Sequence, residues 1–122
     1  MIAVHAPTGR TLASRVEKAD DAASRSKGLL GRASMAADEA LWIKQPPLAW
    51  LVPCPTIHTF FMKFPIDVLF LDAGLKVRRV IEDMKPWRLS AWVLHSHSIL
   101  ELKGGTLRGS VREGDLLELR SA

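Results

Sequence analysis

Hydrophobic and polar positions alternate in short blocks along most of the chain, and turn residues punctuate them. Residues 2–6 and 10–17 alternate around Pro7 and Gly9, which predicts an N-terminal hairpin. One stretch changes period. Asp20 or Asp21 can cap a helix that continues through Ala22, Ala23, Arg25, Lys27, Leu29 and Leu30, and Gly31 can stop it, so a helix is expected over about 21–30. Strand patterning resumes at "EALWIKQ" (39–45) until Pro46 and Pro47, which have no N–H to donate to a ladder. The apolar, proline-bounded run at 48–52 fits an extended crossing segment or an edge. Residues 56–62 and 66–72 read as two strands bent at Pro65, and "LKVRRVIEDM" (75–84) returns as a third, with Val77 and Ile81 on one face. Asp72 to Lys76 closes the hairpin between the last two. "PWRLSAW" reads as a loop, followed by strands in "SILELKGG" and "GDLLELR".

About eight strands joined by short turns argue for an α+β, mostly β fold. The expectation is a single compact domain spanning 1–122, with a curled antiparallel sheet or partial β-barrel and one or two short helices. A length of 122 residues allows one self-sufficient core.

Composition narrows the function classes. Hydrophobic residues make up 48% and charged residues 25%, which describes a small soluble globular domain and not a disordered one. No apolar run approaches the roughly 20 residues of a membrane-spanning helix, and the N-terminus lacks the pattern of a secretory signal, so no transmembrane segment and a cytoplasmic location are expected. Cys54 is the only cysteine and cannot form an internal disulfide. The net charge of +4 favours acidic partners only through long-range attraction. The basic residues are scattered without a recognition motif, so nucleic acid is not an expected partner.

Candidate chemistry concentrates in "CPTIHTFFMKFPIDVLFLD" (54–72), which contains all four phenylalanines. In an extended strand, Thr56, His58, Phe60, Met62 and Phe64 share one face, and Ile57, Thr59, Phe61 and Lys63 the other. A buried His58 needs partners for its ring nitrogens, and Asp67 is the nearest acid, so an acid–base pair is one way to satisfy both; a core histidine bonded to a backbone carbonyl is the simpler reading. Cys54, His58, His95 and His97 have spacings too common to specify a metal site, and no metal or other cofactor is expected. Cys54, between two prolines, has no source of thiolate character and reads as an apolar filler. Glu101, among leucines, calls for a cationic partner, and Arg32 is the candidate. Trp87 follows a proline and can wall a pocket or shield the core.

"SRSKGLLGR", "CPTIHTFFMKFPIDVLFLD", "VRRVIEDMKPW", "ILELKGG" and "GD", in that order and spacing, resemble the domain of unknown function 192 family over about residues 24–119. The resemblance implies a compact, mostly β domain and no established activity. It marks Gly28, Leu29, Gly31, Arg32, His58, Met62, Pro65, Asp67, Asp72, Glu101 and Gly104. Many members carry export leaders, and some are associated with pilus or secretion genes.

The leading expectation is a binding module with a shallow pocket for a small anion, peptide or sugar. Its wall would be Phe61, Met62 and Trp87, and its polar contacts Arg32, His58, Asp67 and Glu101. One alternative is a hydrolase-type enzyme using His58 and Asp67. Another is a protein-interaction module in a secretion or pilus-linked setting, docking through the apolar rim "PPLAWLVP". A monomer or weak dimer is expected.

Overall fold

The computed structural model describes residues 1–19, 29, 32–44, 59, 62–90, 93 and 95–121. These form strands β1 (Ile2–His5), β2 (Arg10–Ala13), β3 (Arg15–Ala19), β4 (Glu39–Lys44), β5 (Ile66–Leu71), β6 (Val77–Met84), β7 (Ser98–Lys103) and β8 (Leu117–Arg120). They are arranged as a three-stranded sheet in the order β2-β1-β8 and a five-stranded sheet in the order β3-β4-β7-β5-β6.

The mostly β reading holds in this architecture, with three differences. First, the sheets do not close into a barrel. An isolated bridge between Lys76 and Leu116 and a bond from Leu117 N–H to the Leu75 carbonyl (3.0 Å) tie one to the other. Second, β3 and β4 run parallel, although the remaining neighbours are antiparallel. The intervening residues 20–38 supply the dozen or more positions that a parallel return requires. Third, no helix is found among the described residues, so the one or two short helices expected have no counterpart there. The segment proposed as helical, 21–30, lies outside them apart from Leu29, which is buried.

The alternating segment 10–17 is two strands in different sheets. The N–H groups of Ser14 and Arg15 both donate to the Asp38 carbonyl, at 3.1 and 3.0 Å, and this turns the chain from β2 into β3. The expected strand over 56–62 is likewise not extended where it is described. Met62 N–H closes a turn onto the Thr59 carbonyl at 3.2 Å, and the other residues of that segment are outside the described set.

The hairpin at Asp72 forms as its sequence predicts. The carboxylate accepts the N–H groups of Gly74 and Lys76, both at 2.9 Å, so one side chain fixes the turn between β5 and β6. At the other end of β5, Gly104 N–H donates to the Pro65 carbonyl (3.1 Å). A Cβ on Gly104 would lie 3.0 Å from that carbonyl oxygen, so the close backbone approach depends on glycine.

Each face of the larger sheet has its own core. One face buries Leu69, Leu71, Leu100 and Leu102 against Ala3, Leu12 and Leu117 of the smaller sheet. The opposite face buries Ile66, Val68, Phe70 and Ile99 with Leu41, Leu29, Met35, Met62 and Val93. Strand β5 is therefore buried along its whole length, which explains its nearly unbroken apolar sequence IDVLFL.

Candidate functional site

Strand register places a carboxyl group inside an apolar layer. Glu17 of β3, Leu41 of β4, Glu101 of β7, Val68 of β5 and Ile81 of β6 pair successively and form one row on one face of the larger sheet. Glu101 is 4% exposed. Burial pushes its pKa up to about 7, while the positive charge of Arg32 pulls in the other direction. Arg32 and Glu101, matched in the sequence by chemistry alone, thus act on each other across the fold.

The Arg32 guanidinium does not serve Glu101 alone. Nη2 donates to Glu17 Oε2 at 3.0 Å, and Nη1 lies 3.7 Å from Glu39 Oε2. Arg15 extends the array, with a two-pronged bond to Asp38 (2.8 Å each) and a 3.5 Å contact to Glu39. Its hydrogen bonds hold Asp38 below the usual carboxylate range. Glu39 Oε1 also accepts the N–H of Ala36 at 2.9 Å, which orients the carboxylate from behind. Beside this array an open groove of about 530 Å³ is lined by Met1, Ser14, Arg15, Val16, Glu17, Glu39 and Ala40. Glu17 and Glu39 belong to both groove and array. Neither carried a signal in the sequence, because charges on short strands resemble ordinary solvated positions.

Asp67 occupies different surroundings from those expected of a site residue. It pairs with Leu102 and so points to the face opposite Glu101. Its carboxyl group is fully buried and accepts three backbone N–H groups, from Asp83 (2.8 Å), Gly105 (3.2 Å) and Leu107 (2.9 Å). A carboxylate engaged in this way ties down loops. It is not open to a ligand, which removes Asp67 from the expected cleft and leaves the His58–Asp67 enzyme without support. His58 and Phe61 lie outside the described residues, as do Cys54 and the rim "PPLAWLVP".

Met62 and Trp87, the expected pocket wall, differ in their surroundings. Met62 is packed into the apolar layer. Trp87 follows β6, whereas the partners of Arg32 belong to β3 and β4. The sheet order puts β6 three strand spacings, about 14 Å, from β4.

Thr59 is the anchor that its aromatic surroundings concealed. Fully buried, it exchanges backbone bonds with Arg88 and Trp87, both at 2.9 Å. Its hydroxyl donates to the Lys85 carbonyl (2.5 Å) and accepts the Arg88 N–H (2.9 Å). Replacing Thr59 with valine keeps the shape and removes both hydroxyl bonds, so Thr59→Val should lose about 1–3 kcal/mol in urea unfolding. Hydrogen exchange at Arg88 N–H should rise alongside.

His5 was also missed. Buried beneath the first turn, it donates through Nε2 to Asp115 Oδ2 at 2.7 Å, and Nδ1 faces the Thr8 hydroxyl at 2.8 Å. That hydrogen bond, with one from Arg112 N–H, holds Asp115 below the usual carboxylate range. The nearby N–H groups of Thr8 and Gly9 are bound to the His5 carbonyl, so this threonine–histidine–aspartate chain has no free oxyanion donors in its own turn and acts as a clamp. His95 and His97 are exposed, and among the described residues no group of three or more His, Cys, Asp or Glu side chains could hold a metal ion. Among the same residues, no helix is long and apolar enough to cross a membrane.

The fold and its charged array define a small two-sheet β domain with one polar cluster set into an apolar face. The chain belongs to the DUF192 family, described as an uncharacterised ACR family, whose profile matches residues 3–119. Two crystal structures share the fold. A protein from Sinorhizobium meliloti 1021, described provisionally as a transcription regulator, is 27% identical with a TM-score of 0.73, over 96% of this chain and 89% of that one. A protein of unknown function from Novosphingobium aromaticivorans DSM 12444 is 22% identical with a TM-score of 0.71, over 98% and 93% of the respective chains. No functionally curated protein matches the sequence.

Proposed function

We propose that this protein is a small binding module whose ligand sits in the groove beside β3 and β4, against Glu17 and Glu39, with Arg32 and Glu101 behind them. The observation that carries this reading is the placement of Arg32. One guanidinium contacts two carboxylates at the groove and is electrostatically linked to a third carboxyl buried in the sheet. Purely structural pairing at a surface contributes little to stability, so a shared charge backed by a buried acid suits a site better than a brace.

The charge balance selects among the ligand classes that the sequence leaves open. Arg15 and Arg32 face Glu17, Asp38, Glu39 and Glu101, so carboxyl groups outnumber guanidinium groups within this array. A small anion would be repelled. Sugar hydroxyls, or the amine of a peptide or amino sugar, can bond to the free lone pairs of Glu17 and Glu39.

Thermal-shift titration with neutral sugars, amino sugars, short peptides and inorganic phosphate tests this reading. A saturable rise in Tm is expected with a hydroxyl- or amine-bearing compound, none with phosphate, and loss of the response in Glu17→Gln/Glu39→Gln. A response to phosphate alone, or to none of these compounds, would overturn it.

A further inference from the structure

We propose that the turn from Lys85 to Leu89, together with the basic end of the larger sheet around it, is a docking surface for an anionic lipid bilayer. Among the described residues only three large hydrophobic side chains are exposed, and two of them are here: Trp87 at 56% and Leu89 at 63%. Trp87 takes a φ of 64°, in the left-handed region that a bulky residue rarely adopts. The bonds from Thr59 to Lys85, Trp87 and Arg88 hold the turn in this conformation. A strained backbone that presents apolar side chains to water is a costly arrangement for a turn serving only to connect strands.

The charge around the turn identifies the occupant. Ile66 pairs with Met84 on one side and Lys103 on the other, so the start of β5, the end of β6 and the end of β7 lie together. The exposed cations Lys63, Lys85, Arg88 and Lys103 belong to these strand ends, and Arg108 reaches back to the Gly105 carbonyl at 3.1 Å. Opposing them, Asp83 is paired with Lys85 at 2.6 Å and Glu82 accepts the Gly109 N–H at 2.9 Å. The surface is therefore cationic with an apolar tip. Tryptophan favours the headgroup level of a bilayer, leucine the acyl boundary below it, and lysine and arginine the phosphates above. Nucleic acid suits the surface less well: the more exposed apolar residue is Leu89, which has no ring to stack on a base. Contact through so small a tip is peripheral and reversible, and it is independent of the Arg32 array across the sheet.

Cosedimentation of the full chain tests the proposal, using vesicles of pure phosphatidylcholine and of equimolar phosphatidylcholine and phosphatidylserine. Binding is expected to the mixed vesicles only, and to weaken with salt. Trp87→Ala/Leu89→Ala should reduce partitioning roughly tenfold. Lys63→Gln and Lys103→Gln, which leave the turn intact, should each reduce it about fivefold. No enrichment on the mixed vesicles, undiminished binding by the Trp87/Leu89 variant, or binding to duplex DNA in place of vesicles would overturn the proposal.

Discussion

Replacing Asp67 with alanine should lower stability by about 3–5 kcal/mol, the largest single-residue polar effect expected in this protein. The substitution withdraws one acceptor group from three amides at once, those of Asp83, Gly105 and Leu107. These lie on two segments, the end of β6 and the loop after β7, so both lose their common tether to β5. Asp83 has a φ of 53° where the β5–β6 register slips, and the Asp67 bond holds that irregularity in place. In a domain of this size the loss corresponds to a fall in Tm of roughly 10–20 °C. Asp67→Asn should recover only part of it, because an amide offers one acceptor oxygen where the carboxylate offers two. Chemical denaturation of both variants checks the order. If Asp67→Ala unfolds at the wild-type midpoint, the tether is not a determinant of the fold.

The second large effect is a dependence on pH carried by Glu101. Its ordinary value of 4.5 applies to the unfolded chain, and burial raises it to about 7 in the folded protein. Between these values the folded state holds the proton more tightly. The stabilisation is fully present below 4.5 and is lost as pH rises through about 7. Fully expressed, that interval corresponds to about 3 kcal/mol. Asp38 and Asp115 act in the opposite sense, since their depressed values favour the folded state above their unfolded range and lose that contribution as pH falls. The clean observable is therefore the difference between wild type and Glu101→Gln. The wild type should lose stability relative to the variant as pH rises from 4.5 to 8, and a flat difference would remove Glu101 from the account.

Much of the strand plan was legible in local pattern. The apolar run of β5 and the turn at Asp72 each carry their own signal within a few residues, whereas β6 departs from the expected single face: Val77 packs into one core and Ile81 into the other, because the β5–β6 register slips between them. The break at Ser14 was not legible, because period-two alternation continues through it and the carbonyl that turns the chain belongs to Asp38. The parallel pairing of β3 with β4 is likewise a choice between distant strands. For the site, Arg32 and Glu101 were visible as charges in apolar settings. Glu17 and Glu39 were not, since only strand register reveals that they share a guanidinium. Asp67 stood out for the same reason as Glu101, yet its role depends on loop amides at positions that no sequence spacing connects. Alternation did separate the two acids: Asp67 and the Glu101-paired Val68 are adjacent in β5 and face opposite ways.

The central claim is that Glu101 is a buried acid, poised near neutrality and linked to Arg32. Titration of its side-chain carboxyl carbon by NMR tests this most directly. The account predicts a midpoint near 7, and a higher one in Arg32→Gln, where the opposing positive charge is gone. A midpoint at the ordinary glutamate value of 4.5, unmoved by the loss of Arg32, would contradict it.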